Sequence, residues 1–473
     1  MRILSVASEM VPYSKTGGLA DVVGALPVYL RRFGHDIRVF TPLYDKVDTS
    51  SLDLELLLDS MSIPLGPDRY VVKVFRDRAN PTAYLVHCPA LYFRGSIYTN
   101  HEDEHRRYLV LCYTALYASQ RMGFQPQVIH CHDWQGAMMP LIVNTQFRWD
   151  RLFQESRTLL TIHNLNYQGS FPSHIVPDLN LGSDTNLLHQ DFLREGRVNF
   201  LLHGVMYADG ISTVSPTYAK EIQTPRYGAG MDPFLRERSS RVVGILNGVD
   251  YEVWSPETDA FIDHHYSVDD LSGKEGNKKA LLEAMGLPYV QGVPLIGIVS
   301  RMASQKGFDL LPAVMPALLR RGDVQLVVLG SGDRRIERIF RSLQARFPRQ
   351  VCFYKGFSNP LAHLIEAGSD IFLMPSRYEP CGLNQLYSLR YGTVPVVHKT
   401  GGLADTIHLQ EPTTGFPFEH FDARGLYWGL STALKTYQNR DRWRQIMING
   451  MTRDYSWTNQ SRMYETLFQR LTR

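Results

Sequence analysis

Short apolar runs rich in β-branched residues recur along the chain and alternate with stretches of helical periodicity. In the first half we predict strands at RILSVAS, DIRVFTP, YVVKVF, AYLVHC, QVIHCHD, RTLLTIHN, DGISTVS and VVGILNG. In the second half the predicted strands are PLIGIVSR, VQLVVLG, VCFYKGF, DIFLMPS and VPVVHKT. Because strands that alternate with helices form parallel sheets with crossover connections, the pattern indicates an α/β protein.

The series of strands is interrupted by residues 249–292, which are polar and charged by turns and end in proline and glycine. We place a linker region there. The prediction is therefore two Rossmann-like, doubly wound domains, residues 1–248 and 293–455, which face a deep inter-domain cleft. In residues 456–473, Met463, Tyr464, Leu467 and Leu471 follow helical spacing, which predicts an amphipathic terminal helix.

Composition excludes several classes of function. The chain has 473 residues, and 50 basic against 47 acidic residues give a net charge of +3. Nucleic-acid binding needs a stronger basic field, so we expect no nucleic-acid partner. No apolar stretch reaches the roughly 18 residues of a membrane span, so we expect no membrane partner. The five cysteines show no CxxC spacing, which favours reduced thiols in a cytoplasmic protein over disulfides or a zinc site.

The heptapeptide KTGGLAD occurs twice, at residues 15–21 and 399–405. The first copy follows a predicted strand and opens a long helical pattern, so Gly17 and Gly18 lie at a helix amino terminus that favours an anion. Lys15 adds a formal charge. The alternative is that the glycines only make the turn and Lys15 is solvated. The second copy opens a short helical pattern, and we expect it to shape a nucleotide pocket without a catalytic role for Lys399.

Charged side chains follow other predicted strands at the end where open parallel sheets bind ligands. Arg301 and Lys306 lie on a loop before a helix, where two cations suit a diphosphate, unless both are ordinary surface charges. Glu379 lies at a strand end, where a carboxylate can bind sugar hydroxyls or stabilise developing positive charge. His163 ends a strand, with Asn164 next to it, so it is a candidate despite the many structural histidines in proteins.

Three further motifs carry weaker signals. His130 and His132 point the same way on one strand, but only Asp133 follows as a third ligand, so we predict no metal. The GSGD sequence at 330–333 lacks the full GxGxxG pattern, which weakens a nicotinamide or flavin hypothesis. Cys381 would need a neighbouring base to act as a nucleophile, and a packing or backbone role is favoured.

Taken together, these segments resemble the bacterial glycogen synthases and plant starch synthases, which are retaining glycosyltransferases that use ADP-glucose. The matching stretches run in the family's order from residue 8 to about residue 406. They are SEMVPYSKTGGLADVVGALP, HCHDWQ, TIHNLNYQG, ADGISTVSPTYAKEI, GILNGVDYEVWSPETD, SRMASQKGFDLL, PSRYEPCGLNQLYSLRYGTVPVV and KTGGLADT.

The resemblance implies the two-domain GT-B fold, with the terminal helix packed on the first domain and with neither metal nor cofactor. It implies an ADP-glucose donor, an α-1,4-glucan acceptor such as glycogen or starch, and release of ADP. The catalytic positions would be Lys15, His163, Arg301, Lys306 and Glu379. Further substrate contacts are expected at Gly17, Gly18, Asp21, Tyr98, Asp133, Asn164, Asn247, Phe357, Cys381, Gly382 and Leu383. Within this set, Tyr98 and Asp133 fall on the acceptor side, and Phe357 is the aromatic neighbour of adenine.

Two features depart from the wider group of GT-B enzymes. Many of them carry a second glutamate eight residues after the first, where this chain has Tyr387, as the synthase branch tends to have. Leu202 and His203 stand where many relatives have a lysine, so we assign no role there. The alternatives are a glucan-binding protein with a degenerate site, or another nucleotide-sugar enzyme such as a sucrose-type synthase or an epimerase. A phosphorylase is disfavoured because no lysine site for pyridoxal phosphate is evident.

Overall fold

A computed structural model describes residues 1–473 and divides them into two compact units. The first unit comprises Met1–Val214, Ala219–Gly248 and Trp457–Arg473, and the second comprises Ser215–Tyr218 and Val249–Ser456. None of the helices combines the length and apolar composition that a membrane span requires.

The first unit is built on a nine-stranded sheet in the order β11-β10-β7-β6-β1-β2-β5-β4-β3, with a separate antiparallel β8-β9 pair. The strands are β1 (Arg2–Val6), β2 (Asp36–Pro42), β3 (Leu54–Leu65), β4 (Asp68–Asp77), β5 (Ala83–His87), β6 (Val128–His132), β7 (Arg157–Ile162), β8 (Ser170–Pro172), β9 (Arg197–Asn199), β10 (Gly210–Thr213) and β11 (Val242–Gly244). Pairing in the large sheet is parallel except at β3-β4 and β4-β5. The sheet is therefore a parallel core extended by an antiparallel edge.

The helices that follow in chain order are α1 (Gly18–Arg32), α2 (Pro89–Tyr92), α3 (Glu104–Arg121), α4 (Asp133–Gly136), α5 (Met139–Thr145), α6 (Gln190–Arg194), α7 (Phe200–Tyr207), α8 (Pro216–Glu221) and α9 (Asp232–Glu237). Short 3₁₀ turns lie at Thr49–Ser51, Ser173–Leu179, Gly182–Leu187 and Ser239–Arg241. Helix α1 ends before Gly34, which adopts the left-handed conformation and whose amide donates to the carbonyl of Arg31 at 2.9 Å.

The second unit contains a parallel six-stranded sheet in the order β14-β13-β12-β15-β16-β17. Its strands are β12 (Leu295–Val299), β13 (Gln325–Gly330), β14 (Val351–Lys355), β15 (Ile371–Met374), β16 (Val394–His398) and β17 (Phe416–Phe418). Its helices are α10 (Ser272–Ala284), α11 (Leu311–Arg320), α12 (Arg334–Arg346), α13 (Asn359–Gly368), α14 (Asn384–Arg390), α15 (Gly401–Thr406), α16 (Ala423–Tyr437) and α17 (Arg440–Met451), with 3₁₀ turns at Ser304–Lys306 and Phe308–Leu310.

Helices cover both faces of this second sheet. Along β13, Leu326 and Val328 enter one apolar cluster, and Val327 and Leu329 enter another. Successive side chains of a strand point to opposite faces, so a strand buried on both faces reads as one continuous apolar run. This explains why VQLVVLG shows no polar alternation.

Residues 249–292, predicted to be a linker, are an integral part of the second unit. Helix α10 packs against α13, and Leu281 and Leu282 are fully buried. The Lys274 ammonium donates to the carbonyls of Ala367 and Tyr391, each at 3.0 Å, and to Thr393 Oγ1 at 2.7 Å. Burial lowers the pKa of Lys274 to about 7. The polar sequence of this segment therefore did not indicate the packed helix α10. The ammonium group of Lys274 in that helix is buried and donates three hydrogen bonds.

The terminal helix α18 (Trp457–Leu471) belongs to the first unit and contacts α1. Its buried face includes Trp457, Tyr464, Leu467 and Phe468. The prediction of an amphipathic helix is confirmed, but Met463 lies outside the buried face, since 46% of it is exposed. Phe468, four residues after Tyr464, is the core residue that the predicted face omitted.

Candidate active site

Several predicted site residues follow the strands that form the switch point of each sheet. In the first sheet the strand order runs outward from the β1-β6 pair, and in the second from the β12-β15 pair. The first KTGGLAD loop follows β1 and Asp133 follows β6, whereas Arg301 follows β12 and Glu379 follows β15. Open α/β sheets bind ligands outside the carboxyl ends of the strands at such points.

The first KTGGLAD loop leaves its glycine backbone accessible. Gly17 is the N-cap of α1 and has extended backbone angles, and a Cβ added there would meet no atom within 4 Å. The Lys15 ammonium lies 2.7 Å from Asp21 Oδ1, and 54% of the lysine side chain is exposed. Burial raises the pKa of Asp21, although Lys15 opposes that effect. The loop therefore presents a cation and free amides at a helix amino terminus.

Glu9 anchors this loop and is the residue that our interpretation of the sequence missed. Its carboxylate accepts hydrogen bonds from the Thr16 amide, from Thr16 Oγ1 at 2.7 Å and from the Tyr98 hydroxyl. Tyr98 also lies 2.9 Å from Ser8 Oγ. Burial and the Glu9 charge raise the pKa of Tyr98. A buried carboxylate thus joins the loop to Tyr98, a predicted acceptor-side residue.

Asp133 and His163, predicted from separate motifs, are in direct contact. Asp133 has a left-handed backbone with φ of 50°, and its Oδ1 accepts from the amides of His163 at 2.7 Å and Asn164 at 3.4 Å. Burial raises the pKa of Asp133 to about 7, with a smaller contribution from Glu9. Such backbone strain concentrates at functional sites.

The imidazole of His163 is neutral and occupied. Its Nε2 lies 2.9 Å from His132 Nδ1, and burial lowers its pKa to about 3. His130 in turn bonds to Thr161 Oγ1 at 2.6 Å. No group of three or more histidine, cysteine, aspartate or glutamate side chains in the chain is arranged to hold a metal ion. The amide and the ring of His163 are therefore both engaged in hydrogen bonds within the first unit.

Two asparagines complete the candidate residues of the first unit. Asn164 Oδ1 accepts from the amide of Asn166 at 3.1 Å. Asn247 is 4% exposed, and its Oδ1 accepts no hydrogen bond. Buried polar atoms without a partner are rare and costly in folded proteins, and this oxygen is available as a hydrogen-bond acceptor.

In the second unit, two predicted catalytic residues form an ion pair. The Lys306 ammonium lies 2.7 Å from Glu379 Oε2, which also accepts from Ser376 Oγ at 2.9 Å. Arg301 is exposed and follows β12, the strand that neighbours β15. The unit therefore pairs the Glu379 carboxylate with Lys306 and places Arg301 after the neighbouring strand.

The second KTGGLAD copy packs against the loop that carries Glu379. Gly401 has φ of 46°, and a Cβ there would lie 1.9 Å from the Glu379 carbonyl oxygen. A Cβ on Gly402 would lie 2.1 Å from the carbonyl of Cys381, and the Gly402 amide donates to the Glu379 carbonyl at 3.1 Å. Only glycine permits this approach of two backbones.

The remaining donor-side candidates lie in this loop and after β14. Gln385 Nε2 donates to the carbonyls of Cys381 at 3.0 Å and Gly382 at 3.1 Å. Leu383 is the N-cap of α14. Phe357 is 78% exposed, an unusual state for a phenylalanine and one suited to stacking against a planar ring.

Comparison with known proteins identifies the family. Residues 2–237 match the starch synthase catalytic domain, and residues 288–449 match glycosyl transferases group 1. Glycogen synthases of Koribacter versatilis and an Anaeromyxobacter species are 43% and 42% identical, over 99% and 100% of this chain and 98% and 99% of theirs. The chain belongs to the glycogen and starch synthase family. It is a glycosyltransferase, and both predictions are confirmed.

Solved structures support the same conclusion for the fold. The catalytic domain of starch synthase IV from Arabidopsis thaliana, bound to ADP and acarbose, has a TM-score of 0.90 and 31% identity over 100% of this chain and 99% of its own. A sucrose-phosphate synthase from Thermosynechococcus elongatus has a TM-score of 0.62 at 17% identity and supports the fold alone. The predicted GT-B fold, with two α/β domains built on parallel sheets, is confirmed.

Proposed function

We propose that the chain transfers glucose from ADP-glucose to the non-reducing end of an α-1,4-glucan, retains the anomeric configuration and releases ADP. Membership of the glycogen and starch synthase family supports the reaction class. The starch synthase IV structure with ADP and acarbose supports the nucleotide and the sugar chain. We propose no cofactor, because cationic side chains can stabilise a departing diphosphate.

The pairing of Lys306 with Glu379 is the observation that carries this proposal. Lys306 holds one oxygen of Glu379 at 2.7 Å, so the other oxygen points in a fixed direction and can accept from a glucose hydroxyl. Lys306 and Arg301 would neutralise the diphosphate as the glycosidic bond breaks. The exposed ring of Phe357 would stack on adenine, and the backbone of Cys381, Gly382 and Leu383 would line the sugar and phosphates.

The first unit supplies the remaining proposed contacts. Lys15 and the amides of Gly17 and Gly18 would bind the donor phosphates, with Asp21 directing the lysine. Asn164 and the unsatisfied oxygen of Asn247 would hydrogen-bond to the donor sugar. On the acceptor side we propose Tyr98 and Asp133, which hydrogen bonds hold in place through Glu9 and the His163 amide respectively.

A front-face mechanism agrees best with these contacts. Lys306 and Ser376 both donate to Glu379 Oε2, and we assign the other carboxylate oxygen to a glucose hydroxyl, so neither oxygen is assigned to a covalent bond with the sugar. As the bond from the anomeric carbon to the ADP oxygen breaks, the His163 carbonyl would stabilise the positive charge that develops on the sugar. The 4-hydroxyl of the glucan then bonds to the anomeric carbon on the same face, and its proton passes to the departing phosphate.

The cysteines bear on where this reaction takes place. All five are free thiols, and four of them are buried. Free thiols persist in reducing compartments, so we propose a cytoplasmic location.

Labelled ADP-glucose and UDP-glucose, supplied in parallel with glycogen, test the proposed function directly. We expect labelled glucose to be incorporated into the glycogen, and more of it from ADP-glucose than from UDP-glucose. An enzyme that cleaves α-1,4 linkages should then release the label from the glycogen. The Glu379→Gln variant is the matched control, and we expect it to fold normally and lose about 100-fold or more in turnover. Glucan binding without ADP release, or transfer to a small sugar instead of glycogen, would refute the proposal.

A further inference from the structure

The loop after Val249 inserts one aromatic ring between two helices of the second unit. The Trp254 ring stacks on His363 of α13 with centroids 3.7 Å apart and a 9° angle between the planes. On its other face it stacks on Tyr387 of α14, at 3.9 Å and 3°. Parallel rings at this spacing are in full van der Waals contact on both faces. Trp254 therefore fixes the separation of α13 and α14.

Polar contacts from the same loop hold the end of α14. Arg390 Nη2 donates to Ser255 Oγ at 3.0 Å. Asp259 Oδ2 accepts from the Tyr391 hydroxyl at 2.5 Å and pairs with His363 Nδ1 at 2.8 Å. The loop thus binds α14 at consecutive turns, which restricts both rotation and translation of this seven-residue helix.

The opposite end of α14 holds the loop that we assign to the donor. Gln385, fully buried in the first turn, donates to the carbonyls of Cys381 and Gly382. Asn384 Nδ2 donates to the Val299 carbonyl at 2.6 Å. Because Tyr387 and Gln385 lie within one turn, a shift of the Tyr387 ring would move the two carbonyls that Gln385 holds.

We propose that Trp254 is a positioning residue for catalysis, and that its stack with Tyr387 sets the Cys381–Gly382 backbone through α14. The inference rests on the proposed function of that backbone as a donor contact. The Tyr387 ring packs on Trp254 through almost parallel planes. The stack therefore gives position 387 a role in holding the donor loop.

Two readouts on Trp254→Leu test this inference. Steady-state kinetics should show kcat/KM for ADP-glucose reduced about 10- to 100-fold, the range expected for a small misplacement of catalytic groups, with KM for glycogen unchanged. Amide hydrogen exchange should accelerate across residues 381–390. Trp254→Phe keeps an aromatic ring in the stack and should restore most of both properties.

The matched control is Trp443→Leu, which removes a buried tryptophan of the same unit whose ring partners are Phe416 and Tyr437. It should lower Tm while kcat/KM and exchange at residues 381–390 stay at wild-type values. Tyr387→Leu removes one face of the stack and replaces Trp254→Leu if that variant does not fold.

Several outcomes would overturn the inference. Unchanged exchange in Trp254→Leu, or faster exchange with wild-type kcat/KM, would show that the stack does not position the donor loop. Equal losses of kcat/KM in Trp443→Leu would show that Trp254 contributes only to general stability. If the wild-type protein transfers no glucose from ADP-glucose, the proposed function fails, and hydrogen exchange alone still decides whether the stack holds the loop.

Discussion

The two KTGGLAD loops have the same sequence but are used in different ways. Each follows a parallel strand and opens a helix at the carboxyl edge of its sheet. In the first copy, the position of a Cβ on Gly17 is open space, whereas in the second a Cβ on Gly401 would collide with the Glu379 carbonyl. The space beside the first glycine of copy one is open, whereas the glycines of the second copy let two protein backbones touch.

The charged residues of the two copies differ in the same way. Lys15 pairs with Asp21 of its own heptapeptide. In the second copy, Lys399 pairs with Glu419 at 2.9 Å, and Asp405 accepts from the Thr217 amide at 2.9 Å and its hydroxyl at 2.6 Å. The charged residues of the second copy thus bond to residues outside the heptapeptide. The shared sequence specifies the same turn in both copies, and the residues packed around each turn determine what that turn does.

Replacing the two lysines should give the largest difference between the copies. We expect Lys15→Ala to lower kcat about 100- to 1,000-fold, because it removes a cation from the proposed phosphate contacts. Its Tm should stay near the wild-type value, since an exposed ion pair contributes about 0–1 kcal/mol. Lys399→Ala should leave kcat nearly unchanged. Equal losses of kcat in both variants would break the comparison.

Replacing one glycine of each copy by alanine should lower the stability of the protein only where the glycine is packed against another backbone. Gly401→Ala places a Cβ against the Glu379 carbonyl and forces a left-handed alanine, so we expect a loss of about 2–4 kcal/mol in the free energy of unfolding. Gly17→Ala should unfold at nearly the wild-type denaturant midpoint because nothing lies within 4 Å of its Cβ position. Equal midpoints for the two variants would contradict the packing that we describe.

The two aspartates offer a smaller contrast. Asp405→Ala removes two hydrogen bonds to Thr217, and we expect a loss of about 1–3 kcal/mol in chemical denaturation. Asp21→Asn removes only a partly exposed ion pair and should change the free energy of unfolding by less than about 1 kcal/mol in either direction. A reversed order of the two losses would show that the second copy is not anchored through Asp405.

The smallest expected effect is the pH dependence of stability. It should have opposite signs for the Lys15–Asp21 pair and the Lys399–Glu419 pair. Burial raises the pKa of Asp21 above its ordinary 3.8, whereas the Lys399 bond lowers the pKa of Glu419 below 4.5. Asp21 therefore destabilises the fold increasingly as pH rises through its folded pKa, and Glu419 loses its stabilising contribution as pH falls through its own. We expect the Tm of Asp21→Asn, relative to wild type, to rise between about pH 4 and pH 7, and that of Glu419→Gln to fall.

The sequence predicted most of the fold because its parallel strands are buried. Every strand that we predicted overlaps an observed strand. We missed β3, a half-exposed edge strand with irregular pairing, and β17, which has three residues and a central proline. Edge strands lack the apolar continuity on which the prediction relied. The short β8-β9 pair was missed for lack of length.

The sequence predicted the site residues that follow strands. It did not predict the contacts between residues that are distant in the sequence. Lys306 and Glu379 were found because each follows a strand, but 73 residues separate them and their ion pair is a tertiary contact. Glu9 follows β1 without any motif of its own. The stack of Trp254 on Tyr387 arises in a segment whose polarity indicated a linker, and the close approach of Gly401 requires the fold itself.

Competitive labelling of lysines tests most directly whether the first copy alone contacts the donor. The wild-type protein would be treated with a limiting amine-acylating reagent, with and without ADP-glucose, and the modification rates of Lys15 and Lys399 read by mass spectrometry. Both side chains are about half exposed, so both should react in the free protein. We predict that ADP-glucose protects Lys15 and leaves Lys399 unchanged; protection of Lys399, or none at Lys15, would contradict the account.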